Sequence, residues 1–139
     1  MRSHRFFDHT GDFGADLEAS SEAELFEASV DALIALVVDD PTQIEERETR
    51  SLEARGVDPE DQLVALGNEV LFVFETGWLT RRVEVEALED EQLRVSAHGE
   101  PFDAERHVIA RPVKAVTHHG ANVEEVASDR WIGRLVFDL

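Results

Sequence analysis

Five consecutive residues, Asp8, His9, Thr10, Gly11 and Asp12, gather two carboxylates, an imidazole and a hydroxyl just ahead of an alternating segment. Carboxylates at the mouth of a strand can hold a cation, and an imidazole beside them can move a proton. The same residue types are ordinary turn formers, so this stretch alone leaves a plain turn and a functional site both open. Gly11 and Gly14 let the backbone bend or approach a neighbour closely. Two other places carry comparable chemistry. Residues 112–120, PVKAVTHHG, set the chain's only lysine, Lys114, inside an apolar strand pattern. Twelve of the 13 basic residues are arginine, so the lone lysine marks a place where a compact, flexible ammonium has a use. At the C-terminus, LVFDL runs directly into Asp138 and Leu139. Its apolar residues Leu135, Val136 and Phe137 imply that this end is tied down, where many termini fray.

Standard nucleotide and nucleophile signatures are missing: the chain has no GxxxxGK, GxGxxG or GxSxG. The six histidines, at 4, 9, 98, 107, 118 and 119, show no HExxH or related ligand spacing. His118 and His119 are adjacent, and in a strand they point to opposite faces. At most one of them can serve a given site.

The elements that position these residues follow from periodicity. Residues 2–7 and 13–19 read as two short strands around the polar turn, with Phe13, Ala15, Leu17 and Ala19 on one face. Ser21 with Glu24 forms a capping box, and apolar residues from Leu25 to Val37 continue at helical spacing until Asp39, Asp40 and Pro41 stop them. Residues 43–54 read as a strand. Asp58, Pro59 and Asp61 start a second helix, whose stripe of Leu63, Leu66, Val70, Leu71 and Phe74 is buried and which Gly77 ends. Residues 83–97 then alternate as a hairpin, a loop spans 98–107, and strands follow at 113–117, 123–126 and 131–137. The expected class is α+β: one two-layer domain over residues 1–139, two main helices packed on a mixed, mostly antiparallel sheet.

Composition excludes several classes. With 139 residues the chain can bury a sizeable core, and no run of about 18 apolar residues would span a membrane. No secretory signal is visible and there is no cysteine, so a cytoplasmic protein without disulfides or thiolate sites is expected. The net charge of −18, from 31 acidic and 13 basic residues, argues against strong direct binding of nucleic acid. Dispersed acid with almost no lysine points to a halophilic setting, in which salt screens self-repulsion. Most of the acidic residues then form a solvated coat, and few are left for a site.

Taken together, the motifs resemble the archease family, small protein cofactors of the GTP-dependent tRNA-splicing RNA ligase. The resemblance runs the full length, through DHTGDFG (8–14), SSEAELFE (20–27), DPEDQLVALGNEVLFVFE (58–75), HGEPFDAERH (98–107), VKAVTHH (113–119) and the closing VFDL. Gly11 stands where alanine is usual and His118 where an aromatic is common. The resemblance implies a metal site from Asp12, Asp138 and Leu139, the last through backbone or terminal oxygen. An all-oxygen set suits a hard cation, Ca²⁺ first, with Mg²⁺ or Mn²⁺ as alternatives. Lys114 is carried over as functionally important, and His9, Thr10 and His118 are candidates for support around the carboxylates.

The expected function is that of an activator without catalysis of its own, promoting guanylylation and multiple turnover of the ligase in joining tRNA exons. Asp12, Lys114 and Asp138 would carry it. Two alternatives stand beside it: a chaperone-like modulator of RNA-modifying enzymes, and a metal-dependent phosphoester hydrolase using the same carboxylates.

Overall fold

The computed structural model describes all residues, Met1–Leu139, in the order β1 (Ser3–His9), β2 (Asp12–Ala19), α1 (Glu22–Val37), β3 (Glu48–Arg55), α2 (Pro59–Glu75), β4 (Trp78–Leu88), β5 (Gln92–Pro101), β6 (Ala115–Ala127) and β7 (Arg130–Asp138). A short 3₁₀ turn occupies Pro41–Gln43. The α+β class holds, with two helices on antiparallel sheets. The strands, however, divide between two sheets, ordered β1-β2-β7-β6 and β3-β5-β4, with every pairing antiparallel. Both helices touch both sheets, so three layers replace the expected two and the mixed sheet does not occur. The reason lies in α1, where Leu25, Phe26, Ala28, Val30, Ala32, Leu33, Ile34 and Leu36 are all buried. A helix apolar around most of its circumference needs cover on more than one side.

Both helix starts match their sequence signals. Ser21 accepts from the Glu24 N–H at 3.1 Å while Glu24 reaches back to the Ser20 N–H at 3.0 Å. At α2, Asp58 accepts from the Asp61 N–H at 2.8 Å, and Asp61 accepts from the Val57 N–H at 3.0 Å. Gly77, just past α2, has φ +96°, the left-handed conformation that ends helices without a Cβ penalty.

Four sequence expectations shift. The polar turn shrinks to Thr10 and Gly11, because His9 already pairs with Asp12 across β1 and β2. The strand expected over 43–54 begins only at Glu48, its first residues being spent on the 3₁₀ turn and an irregular segment. Of the loop expected over 98–107, the first four residues extend β5 to Pro101. Residues 113–117 and 123–126, expected as two strands, belong largely to one long strand, β6, whose register slips between Thr117 and Asn122. Gly120, at φ +75°, sits inside that slip, where a bulge lets a strand bend without ending.

Candidate carboxylate site at one end of the four-stranded sheet

β2 starts, β7 ends and β6 starts at the same end of the four-stranded sheet. Phe13 pairs with Phe137, and Val116 pairs with Phe137 from the other side. β7 is therefore a central strand with its last residues held on both flanks. Leu135 is fully buried, and Val136 and Phe137 are nearly so, which fixes the C-terminal segment as expected from its apolar run.

Strand alternation then sorts the functional side chains. Ala15, Leu17 and Ala19 are buried against the helices, so Asp12, Gly14 and Asp16 face outward. On β7, buried Leu135 and Phe137 leave Arg134, Val136 and Asp138 on the same outer face. Asp12 and Asp138 thus flank the Phe13–Phe137 pair on the same outer face, at the end of two neighbouring strands. Asp138 makes no ion pair, and the basic side chain that approaches Asp12 is His119, with Nε2 3.5 Å from Oδ2. Asp12 opens a shallow groove of about 300 Å³ shared with Phe7, His9, His119, Arg134 and Val136.

The turn that carries Asp12 is a two-residue hairpin loop. Thr10 has φ 47° and Gly11 φ 87°, the pair of positive φ values of a type I′ turn. Gly11 meets nothing within 4 Å of a Cβ, so conformation alone requires it there. At Gly14 the requirement is space: a Cβ would lie 2.2 Å from the Leu135 carbonyl oxygen and 2.5 Å from Phe7 Cζ. The Phe7 ring closes over Gly14, and Arg134 lies on that ring with Cζ 4.4 Å from its centroid. Arg134 is also held by Asp16, Nε to Oδ1 at 2.7 Å, which raises the guanidinium pKa through that hydrogen bond, against a smaller opposing effect of burial. This Arg is committed to the scaffold.

His9 stands opposite Asp12, and its Nδ1 is 3.3 Å from the Thr10 hydroxyl. His118 is placed elsewhere: its Nε2 is 2.8 Å from Asp61 Oδ1 at the start of α2, on the helix side of the sheet. That hydrogen bond is the main reason the Asp61 carboxyl is held below its usual range, with the Val57 N–H contributing next. The sequence thus singled out the wrong member of the histidine pair as a neighbour of Asp12. Parity carried the signal, since Val116 is apolar and buried, which puts His118 on the inner face with it and His119 on the outer.

Lys114 lies one residue before β6, exposed and outside the strand in which the sequence set it. Its backbone N–H donates to the Asp138 carbonyl at 2.8 Å, which fixes it beside the last residues of β7. Asn68 of α2 anchors the same edge by bracketing Val116, accepting from its N–H at 2.8 Å and donating to its carbonyl at 3.0 Å. A side-chain amide there stands in for a neighbouring strand.

Nowhere do His, Asp and Glu side chains gather in threes suited to a metal ion. The donors at this end are two carboxylates and the oxygens of Leu139, which is 43% exposed. Hard oxygen ligands of net negative charge, unneutralised by any Arg or Lys, match the demands of a Ca²⁺-like cation. The residues present therefore fit such a group.

These features define a class: a three-layer α+β protein that displays two carboxylates on one face at a sheet end. Residues 4–139 match the model of the Archease protein family, and the chain belongs to that family. "Protein archease" of Pyrococcus abyssi is 32% identical over 100% of both chains, and that of Methanopyrus kandleri is 34% identical over 95% of this chain and 96% of its own. The solution structure of Methanobacterium thermoautotrophicum protein 1598 superposes with a TM-score of 0.78 at 27% identity, covering 98% of each chain. A Thermotoga maritima crystal structure described as "an archease, possible chaperone" shares the fold, with a TM-score of 0.66 at 20% identity over 96% of this chain and 94% of its own. No helix is long and apolar enough to cross a membrane.

Proposed function

We propose that this protein activates a GTP-dependent tRNA-splicing RNA ligase, promoting its guanylylation and repeated turnover without catalysing a reaction alone. The observation that carries the reading is that Asp12 and Asp138 flank the Phe13–Phe137 pair, two carboxylates with no Arg or Lys partner at a well-anchored sheet end. Such a pair, held rigid by paired strands, can be presented to another protein's active site with little ordering cost. A hard cation held by Asp12, Asp138 and a Leu139 oxygen would supply electrostatic stabilisation of phosphate oxygens. Lys114, fixed through its own N–H to Asp138, adds a positive point charge at the rim. The acidic surface complements a partner that is itself basic and binds RNA.

A test follows the ligase's guanylylation by GTP over several turnovers in high salt, with wild type, Asp12→Ala, Lys114→Ala and Asp138→Ala. Stimulation by catalytic amounts of wild type that vanishes in variants with unchanged circular dichroism supports the reading. A ligase indifferent to well-folded wild type sinks it.

Two other readings are weaker. A chaperone-like modulator of RNA-modifying enzymes, consonant with the wording attached to the Thermotoga structure, would hold clients on apolar surface. The exposed Val57, Phe72, Val108 and Val126 lie on four different parts of the chain, as scattered surface residues do. A metal-dependent hydrolase needs a base to activate water, and His119 at 3.5 Å from Asp12 is the nearest candidate. Phosphoester hydrolysis by this protein alone, lost in His119→Ala, would favour it.

A further inference from the structure

Positive charge is scarce here, and much of it is already spent. Arg134 is held by Asp16, Arg130 by Glu18, Arg106 by Glu100 and Arg82 by Glu46. Arg5, Arg50, Arg55, Arg81 and Arg94 make no ion pair, and neither do Arg111 and Lys114, which alone of these lie close together in sequence at the carboxylate end of the sheet. Both are exposed, and neither is within 4 Å of a carboxylate oxygen, although Asp12 and Asp138 lie at the same end of the sheet. Alternation explains the escape: the carboxylates leave on the outer face, whereas Phe13 faces the helix side and Arg111 Cζ lies 4.8 Å from the centroid of the Phe13 ring. Lys114, one residue before β6, is exposed at the same end of the sheet.

The segment bearing the two cations is pinned at both ends. Ile109 bridges Val38, the Ala110 N–H donates to the Val37 carbonyl at 2.8 Å, and the Lys114 N–H donates to Asp138 at 2.8 Å. Pro112 stiffens the connection. Three residues of chain span at most about 10 Å, so the two long side chains can converge on one anion. An aromatic platform holds the guanidinium while leaving its five donors free.

We infer that Arg111 and Lys114 form a two-point clamp for linked phosphate groups, Arg111 supplying a planar fork and Lys114 a mobile point charge. This rests on the activator reading above for its setting, in which the phosphates are those of the ligase's nucleotide or of its RNA. The clamp complements the carboxylate pair across the rim of the sheet, so that a cation-loving face and an anion-loving face meet at one edge.

Binding is tested by following arginine Nε–Hε resonances during titration with tripolyphosphate and, separately, with a short single-stranded RNA. The salt is kept at the lowest KCl concentration at which circular dichroism shows the fold intact. A saturable shift of the Arg111 resonance is expected, weakened about five-fold or more by Lys114→Ala and reproduced only in part, in phosphate affinity, by Arg111→Lys. Response to tripolyphosphate assigns the clamp to nucleotide; response to RNA alone assigns it to the RNA backbone. No saturable shift with either probe overturns the proposal. In the guanylylation assay, Arg111→Ala is expected to raise the GTP concentration for half-maximal stimulation. If wild type stimulates and Arg111→Ala does so with the same GTP and RNA dependence, the clamp is lost and the activator reading survives. If wild type fails to stimulate, that reading is lost and the titration decides the clamp.

Discussion

Asp12 and Asp138 flank the same cross-strand pair, Phe13 with Phe137, and therefore leave the sheet side by side on one face although 126 positions separate them in the chain. Neither carboxylate has an Arg or Lys within ion-pair distance. Two adjacent negative groups cost stability unless a cation is shared between them.

Added Ca²⁺ is accordingly expected to raise the melting temperature, since a ligand that binds only the folded chain stabilises it by mass action. At 100-fold excess over the dissociation constant the gain is about 2.7 kcal/mol. Scanning calorimetry with Ca²⁺, Mg²⁺ and EDTA measures it. An equal response from Asp12→Asn would remove the proposed cation from this site.

The two neighbouring histidines should behave differently. His119→Ala is expected to change Ca²⁺ affinity or activation, because its ring is the one beside Asp12. His118→Ala removes only an exposed contact with Asp61, so little change in stability is expected, with activation unaltered. Parallel calorimetry and guanylylation assays on the two variants separate them.

Glu100 governs acid stability. Its side chain is buried, and its carboxyl is held at about 2 from an ordinary 4.5, chiefly by hydrogen bonds from Arg106, with the Glu45 N–H and His107 also lowering it against a desolvation effect that raises it. The Asp103 N–H donates to His107 Nδ1, so Nε2 carries the hydrogen given to Glu100, 3.0 Å away. A depressed folded-state value means that the stabilisation is complete above pH 4.5 and is lost as pH falls towards 2. Urea midpoints measured across that window should fall steadily in wild type and much less in Glu100→Gln. The variant should also be less stable at neutral pH, because the buried carboxylate that holds Arg106 and His107 loses its charge.

Thr10 occupies a left-handed conformation, φ 47°, that a β-branched residue adopts only under strain. Thr10→Asn should stabilise by about 1 kcal/mol, Asn tolerating that region far better. A thermal midpoint that falls would show that the Thr10 hydroxyl contact with His9 outweighs the strain.

Net charge sets the response to salt. At −18 the surface repels itself, and the Debye length shortens from about 10 Å at 0.1 M to about 3 Å at 1 M. Raising KCl across that range should raise the thermal midpoint, whereas sucrose at matched osmolarity should not reproduce the slope. A midpoint indifferent to KCl would contradict a halophilic adaptation.

Much of this protein was legible in the sequence because the signals were local. Ser21 with Glu24, and Asp58 with Pro59 and Asp61, mark helix starts through contacts three residues long. The alternation of Phe13 to Ala19 states which side chains face the core. Gly11, Gly14 and Gly77 announced special backbone positions before any contact was known. What the chain alone left undecided is set by pairing between distant strands. The near-complete apolar circumference of α1 calls for cover on several sides, but only tertiary packing splits the strands into two sheets around it. The meeting of Asp12 with Asp138 depends on β7 inserting between β2 and β6, a register no local pattern encodes. The choice of His119 over His118, and the seating of Arg111 on Phe13, follow from the pleat: alternation is written in the sequence, while the face that each strand turns to its neighbours is fixed only when the core closes.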